Sequence, residues 1–200
     1  MLTLVSSVEA RPAPRQRILD SAYELFSRRG FRGVGIDEVV ERAGVAKATL
    51  YRHFPSKDHL ALAFLQEREQ LWTLGWVEAE ARKRGSTAEE QLLAIFDLFD
   101  EWFHRDDFEA CSFINVLLEL NSRTHPVGHA CVEHLENIRG VLRTLAAEAG
   151  IEDTDGFART FHILMKGSIV SAAEGDADAA KRAQAVARLV IERFRRLPVC

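Results

Sequence analysis

Apolar residues recur along this chain at three- and four-residue intervals, the spacing of a helix face, and nowhere alternate over a convincing strand. Ile18, Leu19, Ala22, Leu25 and Phe26 predict a first helix over residues 15–29, ended by Gly30. Val39, Val40 and Ala43 give a short second helix, with Asp37 as its expected N-cap and Gly44 as its stop. Val45 plugs the turn that follows, and another short helix runs over about residues 46–54. Ser56 then caps a long helix reaching about residue 84. Beyond the break at 85–87, helices are expected over about 88–104, 108–120, 126–149, 155–173 and 176–197. Pro126 suits a first helical turn, and residues 150–156 read as a turn. The pattern predicts an all-α chain of about nine helices.

With 200 residues, 47% of them hydrophobic, the chain can bury a substantial core. No apolar run approaches the roughly 18 residues of a membrane helix, and no secretion signal is visible at the N-terminus. Three cysteines (Cys111, Cys131 and Cys200) lack the spacing of a disulfide framework and fit a cytoplasmic location. The net charge of −4 argues against nucleic acid until its distribution is read. Residues 11–57 hold ten Lys or Arg against five Asp or Glu, a balance of +5, whereas residues 58–200 hold sixteen against twenty-four, a balance of −8. An acidic body with a basic head suits a protein that presents one end to phosphates.

The basic segment contains the most informative stretch. Two short helices joined by a Gly-containing turn describe a helix-turn-helix. No acid lies between Arg42 and Lys57, and the second short helix offers Lys47, Thr49, Tyr51, Arg52 and His53, all hydrogen-bond donors. An ordinary all-α core explains the apolar positions but not a helix so free of acids. The pattern Arg17-Ile18-Leu19-Asp20-Ser21-Ala22, then Leu25-Phe26, Gly30-Phe31, Ile36, Ala43-Gly44-Val45, Thr49-Leu50-Tyr51, His53-Phe54 and Ser56-Lys57 resembles the TetR family of bacterial transcriptional regulators. The likeness is close over the first third of the chain and lies beyond it only in helical character and length. It divides the chain into a flexible arm (residues 1–12), a DNA-binding domain (13–60) and a ligand-binding and dimerisation domain (61–200).

Lys47, at the first turn of the recognition helix, is placed to read guanine, and Thr49 to meet a base or a thymine methyl. Tyr51 and His53 suit phosphate contacts that fix register, and Arg52 suits either base or phosphate. Lys57 adds charge at the positive end of the long helix. Arg15 and Arg17 suit the flanking backbone. Ala48 stands where the family commonly has Gly, a change expected to shift base preference rather than prevent docking.

For the body, the resemblance implies a homodimer with a small-molecule pocket among the middle helices. Most of its aromatic residues read as core filling. Trp72, Trp76, Phe99, Trp102, Phe113 and Met165 are candidate walls, with Asn115, Glu119, Thr160 and His162 as polar candidates. Glu119 would suit an amine. The last two helices, through Phe161, Met165, Ser168, Ile169, Ala172, Val186, Val190 and Phe194, are the expected dimer interface. The implied mechanism is ligand-controlled repression: a dimer sits on a palindromic operator, and an unidentified effector favours a conformer that no longer fits. A regulator without an effector, controlled by a protein partner or by abundance, is the alternative. No phosphate loop, nucleophile elbow or metal motif points to an enzyme or a cofactor. His125, His129, Cys131, Glu133 and His134 are dense in metal-ligating types, but helix capping and surface explain them better. Cys111 and Cys131 lack the cationic neighbours of a reactive thiol.

Overall fold

The computed structural model describes residues 12–122 and 124–196. Most of the arm expected over residues 1–12, together with Leu197 and Cys200, lies outside the described residues. All regular structure among them is helical. The nine helices are α1 (Pro14–Arg29), α2 (Ile36–Ala43), α3 (Lys47–His53), α4 (57–84), α5 (Ala88–Phe103), α6 (Ser112–Leu120), α7 (Pro126–Glu148), α8 (Thr154–Ala173) and α9 (Ala179–Arg196).

The head is a three-helix unit closed on a small apolar core. Ile18, Ala22 and Phe26 of α1 meet Val39 and Ala43 of α2 and Leu50 of α3, all at most 4% exposed. Gly44 ends α2 in the left-handed region at φ 59°, where a side chain would be strained, and its N–H returns to Glu41 O at 3.1 Å. Asp37 does not cap α2: Gly35 holds that position without a side-chain bond, and Asp37 falls in the first helical turn, where its charge still suits the helix dipole. Ser56 caps α4 as expected, accepting from the His59 N–H at 3.3 Å.

Helix α4 joins head to body. Its first turns complete the head core: Phe64 is fully buried and meets Tyr23 and Phe26 edge-on at 5.5 and 5.6 Å. Its middle, Glu69–Glu78, is wound as a wider π-helix, and α-geometry resumes over Ala79–Arg84. Leu71 and Leu74 are 59% and 39% exposed, because only one side of this segment packs on the body.

In the body, α7, α8 and α9 stack beside α5. Phe96 of α5 lies 5.3 Å from Phe161 of α8, and Phe157 lies 5.5 Å from Phe194 of α9. Thr87 and Glu90 start α5 with a reciprocal capping box. The helix expected from residue 108 begins only at Ser112, because Ala110 takes φ 60° and breaks the helical path. Helix α8 starts earlier than residue 155, capped by Asp153, whose Oδ1 accepts from Gly156 N at 2.9 Å. None of the described helices is long and apolar enough to cross a membrane.

Candidate nucleic-acid interface and the adjoining cleft

Helix α3 is held by one inward residue. Leu50 is fully buried, so Lys47, Ala48, Tyr51 and Arg52 face solvent, with Thr49 and His53 half-buried beside them. Lys47 Nζ lies 2.6 Å from Asp37 Oδ1 across the turn, and that carboxylate raises the lysine pKa. Both side chains are more than half exposed, so the pair is weak and readily exchanged for a phosphate or a base.

Three of the expected DNA contacts are engaged within the head. Arg17 does not reach outward: its Nη1 donates to the carbonyls of Ala43 and Gly44 at 3.0 and 3.2 Å, fastening the turn between α2 and α3. Those carbonyls end α2 and would otherwise lack partners, which explains the arginine. Arg15 lies over the Phe54 ring at 5.2 Å. Lys57 lies over the Phe31 ring at 4.4 Å, and partial burial pushes its pKa down.

A cleft of about 410 Å³ lies where head meets body. Tyr23, Glu24 and Arg28 of α1 form one side, and Arg68, Leu71, Trp72 and Trp76 of α4 the floor. Trp102, Arg105, Asp107 and Glu109 close the far side. The Trp72 and Trp102 rings meet at 5.1 Å, and Trp76 joins them at 5.9 Å from Trp72. The π-helical winding begins one residue after Arg68 and carries both Trp72 and Trp76.

The structure brings together only part of the expected ligand set. Trp72, Trp76 and Trp102 line the cleft, with the buried Phe99 behind Trp72 at 5.9 Å. Phe113 lies deeper, stacked on His134 at 5.0 Å. Asn115 and Glu119 face a separate polar hollow along the same seam, with Arg28, Asp107 and Glu109 between the two. Glu119 is engaged there by the head: its Oε2 accepts from the Arg32 backbone N–H at 2.8 Å. His162 and Met165 are buried elsewhere in the body, His162 facing Arg139 at 3.5 Å, and Thr160 turns back on Gly156 O at 2.9 Å. Burial, with Lys166 and Arg139 nearby, lowers the His162 pKa to about 3.

Sequence reasoning missed Tyr23 and Arg68. Arg68 sits at the end of a polar-looking run, and nothing in periodicity distinguishes an arginine turned inward from one in solvent.

The expected dimer residues divide in two. Phe161, Met165, Ser168 and Ile169 are buried against their own chain, because α8 packs between α7 and α9. Ala172, Val190 and Phe194 are half-buried, and Val186 is exposed. Ile163 and Val170 on α8, with Val186 and Leu189 on α9, form an outward apolar face, each at least 44% exposed.

Cys111 and Cys131 are shielded from solvent. Both are free thiols, and burial raises both pKa values, that of Cys131 to about 12. The histidines weighed as metal ligands have other partners: His125 accepts from Val127 N, His129 pairs with Glu133 and His134 with Glu69.

A basic three-helix head with a helix-turn-helix, joined by one long helix to an all-α body, defines a class of DNA-binding regulators. Residues 18–64 match the family described as bacterial regulatory proteins, tetR family. A TetR-family transcriptional regulator from Streptomyces coelicolor superposes with a TM-score of 0.82 at 27% identity, over 91% of this chain and 96% of that one. The transcriptional activator FasR of Mycolicibacterium smegmatis is 34% identical over 96 residues, which are 48% of this chain and 43% of FasR. The transcriptional repressor KstR of Rhodococcus jostii is 48% identical over 59 residues, 30% of this chain and 28% of KstR. The alignments thus span less than half of either curated relative. Over residues 18–64 the chain carries the tetR-family DNA-binding segment, and its fold as a whole is similar to that of a TetR-family regulator.

Proposed function

We propose that this chain is a homodimeric, ligand-responsive transcriptional repressor that binds a palindromic operator. The observation that carries the reading is the outward face of α3. Lys47, Tyr51 and Arg52 stand exposed on a short helix with no acid of its own, at the basic end of an acidic protein. Such a helix enters the major groove with its N-terminal residues at base edges, so Lys47 and Thr49 read bases. Tyr51, Arg52 and His53 contact the backbone and fix register. Arg15 and Lys57, at the borders of the head, add charge toward the flanking phosphates once their aromatic contacts are exchanged.

The second half of the reading concerns control. The outward apolar face of α8 and α9 supports a two-fold dimer, since large exposed patches mark interfaces. The cleft touches α1 and α4 together, so a ligand there acts at the joint that sets the angle of the head. Binding that prefers one head angle shifts the population toward it and changes the spacing of the two α3 helices. Repression is the outcome when the unliganded spacing fits DNA.

Mass spectrometry of small molecules that co-purify with the chain supplies the effector. Titration of a selected operator with and without that molecule then tests the coupling. Operator affinity should fall by roughly five- to 150-fold, and the operator should weaken effector binding by the same factor. An effector that binds in the cleft and leaves operator affinity unchanged would remove ligand control and favour a regulator governed by a protein partner or by abundance.

A further inference from the structure

The cleft holds a buried cation that no carboxylate answers. Its lining carries three arginines and three acids. Arg105 pairs with Asp107 at 2.6 Å and Arg28 with Glu109 at 3.4 Å. Glu24 is taken by Arg42 from outside the cleft, which holds its carboxyl below the usual range. Arg68 remains. It is 8% exposed and forms no ion pair among the described residues; its one hydrogen bond runs from Nη1 to the Tyr23 hydroxyl at 2.5 Å. Its guanidinium lies 5.6 Å from the Tyr23 ring and 5.7 Å from the Trp72 ring. Aromatic faces and one phenol offset only part of the cost of burying a charge.

Two donors beside Arg68 lack acceptors. Trp72 Nε1 and Ser112 Oγ are buried without a hydrogen-bond partner. Both residues border, with Arg68, a narrow gap at the back of the cleft that admits no water in this conformation. Arg68 and these two donors thus border one gap, and Arg68 and Trp72 also line the adjoining cavity with Trp76 and Trp102.

We propose that the cleft binds a small carboxylate with a flat apolar body, its carboxylate held by Arg68 and its body set among Trp72, Trp76 and Trp102. This assignment rests on the reading of the cleft as the effector site. A carboxylate is acceptor-only and can take both edges of a guanidinium. A cation is repelled, and a neutral body leaves Arg68 without its counter-ion. The cleft volume of about 410 Å³ suits such a molecule. Turning Trp72 toward the bound oxygen would satisfy its N–H and move the helix that carries the head.

The test uses the full chain and three matched probe pairs: naphthoate with naphthamide, cinnamate with cinnamamide, and biphenylcarboxylate with its amide. Calorimetry gives affinity. Emission gives location, since all three of the chain's tryptophans line the cleft. At least one carboxylate should bind roughly tenfold or more tighter than its amide, the scale of a charge-assisted hydrogen-bonded pair, and should change the emission. Arg68→Met should erase that preference, and Arg68→Lys should keep part of it. If Arg68→Met does not fold by circular dichroism, the wild-type pairs decide alone. No carboxylate outbinding its amide in any pair overturns the proposal, as does an Arg68→Met variant that keeps the preference. Operator titrations separate the two readings. An amide that binds equally well and releases DNA ends the anion proposal and leaves ligand control standing. A carboxylate that needs Arg68 but leaves DNA bound does the reverse.

Discussion

Glu119 of α6 accepts a hydrogen bond from the backbone N–H of Arg32 at 2.8 Å, and so ties the body to the loop between α1 and α2. Gly30 makes the approach possible: a Cβ there would stand 1.9 Å from Glu119 Oε1, and its φ of 75° favours glycine independently. Two further links cross the same seam, Arg28 to Glu109 and Arg68 to Tyr23, and all three end on α1 or the loop that follows it. The head is therefore gripped along one side, next to the cleft, while α3 is left free.

Removing this tie should loosen the head without unfolding it. In Glu119→Ala the Arg32 amide loses a charged acceptor, a loss of about 1.5–3 kcal/mol locally. Hydrogen exchange should show the Arg32 amide exchanging faster, with the α1 core unchanged. Protection at Arg32 equal to the wild type would mean that the tie does not persist in solution.

The Lys47–Asp37 pair gives opposite expectations for its two members. Lys47→Ala should cost about 1–3 kcal/mol on a selected operator and relax preference at one base pair. Asp37→Ala frees the same ammonium and removes a nearby negative charge, so binding to unselected DNA should tighten and depend more steeply on salt. Gel shifts in which both variants match the wild type would contradict the docking of α3.

Charge placed on the outward face of α8 and α9 should separate the subunits. Leu189 is 65% exposed, so Leu189→Asp leaves the fold intact and should give soluble helical monomers with weakened operator binding. Ile169 is 4% exposed, and Ile169→Asp should instead unfold the chain, since it buries an unpaired charge. Sedimentation with circular dichroism distinguishes these results. A Leu189→Asp protein that remains dimeric would place the interface elsewhere.

His162 should make the chain sensitive to mild acid. Arg139 and Glu136 face it from α7, and Lys166 lies on its own helix; burial is the main cause of its low folded pKa of about 3. The unfolded chain takes up a proton below the ordinary histidine value of about 6.5, whereas the folded chain does not until near its own pKa. Stability is thus unaffected above that ordinary value and falls as the pH drops toward the folded pKa. The loss should approach about 2 kcal/mol by roughly pH 5. Urea unfolding of His162→Phe should lose less stability than the wild type over that interval; equal losses would locate the titration in another group.

How much of this was legible in the sequence differs between head and body. The head was readable because its signals are local: Gly44 ends one helix, Val45 plugs the turn, and Leu50 fixes which face of α3 turns inward. The hold of Arg17 on the turn was not legible because its partners, the carbonyls of Ala43 and Gly44, carry no side-chain signature. In the body, periodicity located α5 and α7 well. It did not place α6, where Ala110 adopts a positive φ that its residue type does not announce. The π-helical winding of Glu69–Glu78 was equally hidden, since an apolar run reads alike in α- and π-geometry. The cleft was the least legible feature. Trp72, Trp76 and Trp102 were recognised as aromatic walls, but Arg68 and Tyr23 come from segments 45 residues apart and meet only where α4 packs on α1.

The central claim, that two copies of this chain read a symmetric DNA site through α3, is met most directly by selecting duplexes from a random pool and footprinting the bound product. The expected product is a palindrome with its half-sites about one helical turn apart, roughly 10 base pairs, protected by two chains and lost when Leu189→Asp replaces the wild type. Protection of a single asymmetric half-site by one chain, or no enrichment of any sequence, would contradict it.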